Sequence, residues 1–415
     1  MHFFEYRNKE LWAEGTKVSD LVARYDTPLY IYSAKTLTRH FQAFDTAFDG
    51  LDHLTCYSVK ANSNLSVLKL LGSLGAGMDI VSGGELYRAL QAGIDPQKIV
   101  YSGVGKRSHE IEEALDAGIL MFNVESTQEL KRINAIADKR NTVARVSLRI
   151  NPDVDPKTHP YISTGLEKNK FGLDIETSIN VYEMARDMPA VDPIGIDCHI
   201  GSQLTSIDPF LEALNRILDF HDRLVGMGIT IEYLDLGGGL GITYDEEEPP
   251  HPAEFGQALT EKLAGRNLKL IFEPGRVIAG NAGILVTKVL YTKKTRSKDF
   301  VIVDAAMNDL VRPSLYKSFH RIAEVTPRGR ETLNVDVVGP ICESGDFLAQ
   351  DRDLPAVEQE ELLAVFSAGA YGFTMSSQYN TRPRACELLV DDTRVTVARR
   401  RETYDDLIRL EKDQG

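Results

Sequence analysis

The sequence predicts an α/β protein: a (β/α)8 barrel of the TIM type over residues 31–279, joined to a second, β-rich domain formed by residues 1–30 and 280–415. Three observations predict it. Between about residues 31 and 280, eight short apolar or β-branched runs alternate with longer stretches of helical spacing. After residue 280 the runs continue without long helices between them, the texture of a separate β-rich domain. The length of 415 residues suits a large barrel plus a smaller domain. An open doubly wound sheet is the alternative, and eight evenly spaced units fit a closed barrel better.

The eight runs are LTCYSVK (Leu54–Lys60), AGMDIVS (Ala76–Ser82), KIVYSG (Lys98–Gly103), LMFNVES (Leu120–Ser126), RVSLRIN (Arg145–Asn151), GIDCHIGS (Gly195–Ser202), EYLDLGGG (Glu232–Gly239) and KLIFEPGR (Lys269–Arg276). Segments such as GELYRALQAG and SHEIEEALDAG lie between them, with apolar residues at helical spacing. The acidic, proline-bearing run Asp245–Pro252 reads as a surface loop. Beyond the barrel, GILVTKVLYTKK, DFVIVDAA, LNVDVVGP and RVTVARR read as strands. TPLYIYS, near the N-terminus, is a further strand-like run able to join them.

Composition narrows the function. The apolar fraction of 43% and charged fraction of 26% are those of a soluble globular chain. The charge of −14 argues against a broad nucleic-acid-binding face but permits one local basic pocket. The four cysteines lie far apart with no C-x-x-C pair, so a disulfide scaffold is excluded and a reducing compartment is the default. The N-terminus runs at once into charge and no apolar stretch reaches membrane-spanning length, so a cytoplasmic location without membrane partners is expected. The nine histidines form no H-x-H or H-E-x-x-H pattern, and no metal is expected.

Reactive groups of such a barrel sit where strands end and βα loops begin. Lys60 falls at the end of the first run, His199 and Ser202 at the sixth, Gly237, Gly238 and Gly239 at the seventh, and Glu273, Gly275 and Arg276 at the eighth. Lys60 either snorkels to solvent or loses its proton in a partly dry pocket and forms a Schiff base. The glycines either make a tight turn or let backbone N–H groups approach a phosphate. Their spacing is not G-x-G-x-x-G and no helix follows at once, so a dinucleotide fold is excluded. Glu273 is either a surface or ion-paired carboxylate, or one that keeps a ring nitrogen protonated; His199 is either a satisfied core histidine or a site residue. Taken together, a Schiff-base lysine, a phosphate cradle and a carboxylate for a pyridine nitrogen describe a pyridoxal phosphate site.

YSVKAN, HIGSQ, GGGLG and EPGR resemble the fold-type III pyridoxal phosphate decarboxylases, whose barrel is alanine racemase-like. NPDVDPKTHPYISTGLEKNKFG (Asn151–Gly172), GPICESGD (Gly339–Asp346) and GAYGFTMSSQYNTRPRA (Gly369–Ala385) are similar to the diaminopimelate decarboxylase family within that group. The resemblance runs from about residue 25 to 390. It implies that Lys60 is the Schiff-base lysine, that His199 stacks on the cofactor ring with Asp79 nearby, and that Glu273 pairs with the pyridinium. It further implies that Ser202, Gly238, Gly239, Gly275, Arg276 and Tyr371 hold the phosphate and its surroundings. Arg276, Arg312, Tyr316, Glu343 and Tyr371 match the family's substrate-binding positions. Family members complete each active site across a homodimer interface. The CESGD loop then comes from the partner subunit, and Cys342 is the acid that reprotonates Cα, unless it is only a small buried hydrophobe.

The implied reaction is the decarboxylation of meso-2,6-diaminopimelate to L-lysine and CO2, the final step of lysine synthesis, by a carboxy-lyase. The residues suit that substrate. Arg276 and Arg312 can bind its distal carboxylate and Glu343 its distal ammonium. A substrate without a distal carboxylate would leave a buried arginine unpaired. The rivals are another basic amino-acid or carboxynorspermidine decarboxylase on the same scaffold, and a non-catalytic pyridoxal phosphate carrier, which needs neither a second β-domain nor a CESGD-type loop. The stretch His159–Gly172 has the glycine and lysine content of a movable loop.

Overall fold

The computed structural model describes residues 2–155 and 170–412, and these residues form two compact units. The chain opens with strands β1 (Phe4–Arg7), β2 (Glu10–Ala13) and β3 (Thr16–Lys17), helix α1 (Val18–Tyr25), strand β4 (Leu29–Ser33) and helix α2 (Ala34–Asp45). The barrel follows. Its strands and helices alternate as β5 (His53–Ser58), α3 (Leu65–Ser73), β6 (Gly77–Ile80), α4 (Gly83–Gln91), β7 (Ile99–Tyr101), α5 (Ser108–Ala117), β8 (Met121–Val124), α6 (Thr127–Lys139) and β9 (Ala144–Asn151). They continue as β10 (Leu173–Asp174), α7 (Ile175–Arg186), β11 (Val191–Asp197), α8 (Asp208–Gly226), β12 (Tyr233–Asp235), α9 (Pro252–Leu263) and β13 (Lys269–Phe272).

Eight of these strands close on themselves in the order β5-β6-β7-β8-β9-β11-β12-β13, every neighbouring pair parallel, with β13 returning to β5 and β10 lying outside on β9. A closed parallel sheet has no edge, and its interior must be filled by side chains. One part of the filling is apolar: Cys56, Val100, Met121, Ile194 and Ile271 pack together. The sequence marks the helix starts. In SGGE and STQE, Ser82 Oγ accepts from Glu85 N and Ser126 Oγ from Glu129 N, each at 3.2 Å. Each glutamate then reaches back to the backbone N–H preceding the cap, at Val81 or Glu125. These caps set α4 and α6 directly after β6 and β8, keeping the intervening loops short.

The second unit comprises Met1–His40, Thr243–Glu247 and Ile278–Gly415. Its spine is β14 (Gly283–Lys294), followed by β15 (Asp299–Val303), helix α10 (Arg312–Tyr316), β16 (Ile322–Glu324), β17 (Thr332–Val338), β18 (Phe347–Pro355), β19 (Leu362–Val365), β20 (Cys386–Asp391) and β21 (Arg394–Arg399). The sheet order is β18-β17-β15-β14-β4-β20-β21, with β19 and β16 branching from β14. The TPLYIYS run supplies β4, antiparallel to β14 and parallel to β20. Leu29 and Ile31 pack there with Leu11, Leu21, Ile284, Val286, Leu388 and Val390 in one apolar cluster.

The units divide near residue 41 instead of 31, because Leu29–Ser33 is bound on both edges by strands of the β-rich unit. Thr243–Glu247, read from sequence as part of the barrel's surface loop, also belongs to that unit. Most of the movable-loop expectation, His159–Gly172, lies outside the described residues. Among those residues, no helix is long and apolar enough to cross a membrane.

Candidate active site

Lys60 sits in a short 3-10 turn (Val59–Ala61) immediately after β5. Its amine makes an ion pair with Asp79 of β6, whose Oδ2 also accepts from Ser58 Oγ at 2.8 Å. Asp79 is fully buried while the Lys60 side chain keeps 36% of its exposure. The amine is therefore anchored at a carboxylate and still reachable, the arrangement a nucleophilic lysine needs.

His199 lies two residues beyond β11. Gly238 N donates to His199 Nδ1 at 3.2 Å, so that ring nitrogen carries a lone pair and no proton. Burial, together with the charges of Arg149 and Lys60, holds His199 well below the usual histidine range. Both observations describe a neutral imidazole. The adjoining glycines are required by the chain itself. Gly237 has φ +63° and Gly239 φ +125°, and a Cβ on Gly239 would lie 2.7 Å from the Gly201 carbonyl oxygen. A Cβ on Gly238 would collide with the Glu273 carbonyl oxygen. On Gly275 it would press on Ala61 and Ser58 at 3.0 Å. Arg276, buried, donates Nη2 to Ser202 Oγ at 3.0 Å and Nε at 3.3 Å. Residues at or just beyond the ends of β5, β6, β11, β12 and β13 thus meet: Lys60 with Asp79, His199 with Gly238, and Ser202 with Arg276, while Gly238 passes close to the Glu273 backbone.

Glu273 is buried inside the barrel. Its Oε1 accepts from Ser102 Oγ at 3.2 Å and from Asn123 Nδ2 at 3.3 Å. Asn123 Nδ2 also lies 3.0 Å from Asp235 Oδ2, and Asn123 Oδ1 accepts from Ser147 Oγ at 2.6 Å. Asn123 is on β8 and Asp235 on β12, which are not neighbours, so the bond crosses the barrel interior. Asp235 Oδ1 accepts from Gly237 N at 2.9 Å, tying this network to the glycine turn. Burial first, then the nearby carboxylates Asp235, Asp79 and Asp197, pushes the Glu273 carboxyl well above its usual range. Burial likewise pushes Asp235 up to about 6. The barrel holds a cluster of carboxylates that favours a proton or a cation in its midst.

A buried ion pair reaches His199 through its backbone, whose carbonyl oxygen accepts from Arg149 Nη2 at 3.4 Å. Arg149 Nη1 donates to Glu125 Oε1 at 2.8 Å, and Glu125 Oε2 accepts from Gly172 N at 2.8 Å. The Arg149 guanidinium also lies over the Phe171 ring at 4.8 Å.

The remaining expected residues belong to the β-rich unit. Arg312 and Tyr316 open and close α10, with Arg312 buried and Tyr316 half-buried. Cys342 and Glu343 lie exposed on the loop between β17 and β18. Ser314 Oγ donates to the Gly345 carbonyl at 2.6 Å and Asp346 accepts from Met307 N and Ile341 N, which holds that loop beside α10. Cys342 N donates to Asn380 Oδ1 at 2.8 Å. Tyr371 stands at a turn with φ +56°, a conformation costly for a tyrosine.

Sequence reasoning missed Ser58, Ser102, Asn123, Arg149, Asp197 and Asp235. Their signal was present as polar residues inside apolar strand runs, such as FNV and YLD.

In the barrel, a reachable lysine, a neutral buried imidazole, glycine backbone with a serine and an arginine, and a carboxyl in a proton-retaining cluster fit the groups of pyridoxal phosphate. Comparison with known proteins agrees. Residues 34–280 match the family described as pyridoxal-dependent decarboxylase, pyridoxal binding domain. The chain is 54% identical to the diaminopimelate decarboxylase of Pseudomonas aeruginosa over 98% of each chain. It is 54% identical to that of Vibrio cholerae over 99% of each. Its fold matches the crystal structure of diaminopimelate decarboxylase from Helicobacter pylori complexed with L-lysine, with a TM-score of 0.92, 45% identity, and coverage of 95% of this chain and 99% of that one.

Proposed function

The chain belongs to the pyridoxal-dependent decarboxylases, in their diaminopimelate decarboxylase branch, and on that premise we propose how its own residues carry the reaction. The protein is a carboxy-lyase that converts meso-2,6-diaminopimelate to L-lysine and CO2 with pyridoxal phosphate as cofactor. When bound, the cofactor supplies an electron sink for the pair left when a bond to Cα breaks.

Lys60 holds the cofactor through its amine, and the Asp79 carboxylate fixes that amine between turns. Glu273 places a carboxyl at the ring nitrogen. Burial and the neighbouring carboxylates push the Glu273 carboxyl well above its usual range, so it would hold a proton at the ring nitrogen of the bound cofactor, or balance the charge of one already there. His199 gives the ring a neutral, flat neighbour; a charged imidazole there would oppose the pyridinium. Ser202, Gly238, Gly239, Gly275 and Arg276 serve the phosphate, with Tyr371. The observation that carries this reading is Lys60 on Asp79 together with Glu273 in its cross-barrel network.

Arg312, Arg276 and Glu343, with Tyr316 and Tyr371, recognise the distal amino-acid group of the substrate. Cys342 gives a proton to Cα after the carboxylate departs. Cys342 and Glu343 are exposed in the single chain, which suits a loop that serves a second copy, and the working form is a homodimer with shared sites.

The test is CO2 release by purified protein with pyridoxal phosphate, comparing meso-diaminopimelate with L-lysine, L-ornithine, L-arginine and carboxynorspermidine. Release from diaminopimelate alone, with lysine formed, is expected. Release only from another amine acid would overturn the assigned roles of Arg276, Arg312 and Glu343.

A further inference from the structure

Arg312 is buried, and His320, Ser318 and Tyr244 are among the groups that meet its guanidinium. His320 Nε2 lies 2.9 Å from Arg312 Nη1, Ser318 Oγ accepts from Nη2 at 3.2 Å, and the guanidinium carbon stands 4.5 Å over the Tyr244 ring. The His320 geometry leaves no choice of tautomer. Its Nδ1 is 2.8 Å from the Phe366 carbonyl oxygen, which can only accept, so Nδ1 carries the proton. A guanidinium can only donate, so Nε2 presents its lone pair to Arg312. His320 is completely buried, its ring sits edge-on to Tyr244 at 5.3 Å, and Arg352 donates to its backbone carbonyl at 2.8 Å. Ring and backbone are thus held at separate points, and the imidazole cannot turn without breaking one of these bonds.

We propose that His320 is a positioning residue for substrate recognition: its Nε2 lone pair aims the Arg312 guanidinium at the distal carboxylate of the substrate. The inference rests on the reading of Arg312 as the distal-carboxylate residue. A neutral acceptor is the suitable partner for this work. A carboxylate in the same place would orient the arginine equally well but would satisfy its charge and compete with the substrate. His320 fixes the direction of the guanidinium, so the cost of ordering a long side chain is met before binding.

The test uses the holoenzyme with two conservative variants. His320→Asn keeps a donor near the Phe366 carbonyl but places no acceptor at the Nε2 position. His320→Gln extends an amide oxygen to about that position. For His320→Asn, the KM for meso-diaminopimelate is expected to rise about tenfold, the scale of one hydrogen bond to a charged group, with kcat nearly unchanged. His320→Gln is expected to recover most of the loss. Inhibition separates orientation from general damage: L-lysine keeps the distal carboxylate and cadaverine lacks it. His320→Asn should weaken inhibition by L-lysine and leave cadaverine unaffected. An unchanged KM, or equal weakening of both inhibitors, overturns the proposal. Arg312→Lys run alongside distinguishes the two readings. If it too leaves KM unchanged, the role given to Arg312 has failed; if it alone raises KM, only the role of His320 has. Should His320→Asn not fold, Ser318→Ala removes the second acceptor from the same guanidinium, and an unchanged L-lysine inhibition constant there counts against oriented capture.

Discussion

Glu273 sits where burial and three neighbouring carboxylates oppose its ionisation, and a bound cation reverses that balance. Glu273→Gln keeps an acceptor for Ser102 and Asn123 but cannot carry charge. We expect the cofactor to remain bound and kcat to fall on the order of 10²-fold or more, the scale of a lost preorganised charge in a dry site. Absorbance of the bound cofactor and steady-state kinetics measure the two effects, and an unchanged kcat would remove Glu273 from the ring nitrogen. Cys342→Ala probes the opposite end of the reaction. Turnover is expected to drop by about 10²–10⁴, as for loss of a general acid, with the cofactor spectrum intact; undiminished turnover would end its assignment as proton donor. At this scale the sequence singled out some of the polar residues that interrupt an apolar run at a strand end, as at Lys60, His199 and Glu273, and passed over others such as Arg149 and Asp197. Asn123 and Asp235 showed only as polar residues inside apolar runs, and their pairing was hidden, because the two lie across the barrel from each other, over a hundred positions apart in the chain. His320 was equally hidden: nothing in YKSFHRI says which ring nitrogen faces an arginine.

Elements place these residues by geometry that single positions do not contain. The turn after β12 must pass so close to the segment after β13 that only glycine fits at 238. Gly238→Ala is expected to cost about 1–3 kcal/mol as overpacking against backbone, seen as a lower Tm, and to weaken cofactor retention as Glu273 shifts. A normal Tm would show that the turn can yield. Neighbouring β11 and β12 end in Asp197 and Asp235, paired in register. Burial and Asp235 push Asp197 well above the usual carboxylate range, so the folded chain keeps a proton that the unfolded chain releases. Stability from that group is therefore lost as pH rises from the unfolded value near 4 toward the folded one. Asp197→Asn is neutral in both states. Its Tm advantage over the natural protein, measured without cofactor, should widen from pH 4.5 to 8; a difference constant with pH would show that Asp197 does not titrate in this range. The eight barrel runs were legible because parallel strands covered on both faces read as apolar blocks. The strands β1–β3, β16, β18 and β19 were not, most being only two to four residues long and β18 having charges that mask its alternation.

At the scale of the whole molecule, the residues proposed for the chemistry are divided between the two units. Lys60, Asp79, His199 and Glu273 belong to the barrel, and Cys342, Glu343 and Arg312 to the β-rich unit. That the chain would fold as a barrel plus a β-rich domain followed from texture alone. That TPLYIYS could join the β-rich domain was read from the sequence; that it would lie between β14 and β20 was not, since a five-residue apolar strand carries no mark of its neighbours. If the CESGD loop serves a second copy, the division of labour runs between subunits and has an arithmetic consequence. Lys60→Ala and Cys342→Ala are each expected to be nearly inactive alone. Mixed in equal amounts and allowed to exchange subunits, they form heterodimers as half of all dimers. In each heterodimer one site receives both defects and the other receives neither. Activity should then recover to about a quarter of the natural protein's, following from random pairing in a symmetric dimer. Recovery should also depend on exchange, appearing only after dilution or mild denaturant has let subunits dissociate. If both residues of a site came from one chain, every site in the mixture would keep one defect, and no recovery would appear under any condition of exchange. The quarter therefore reports directly on whether a loop exposed in one chain completes a pocket in another.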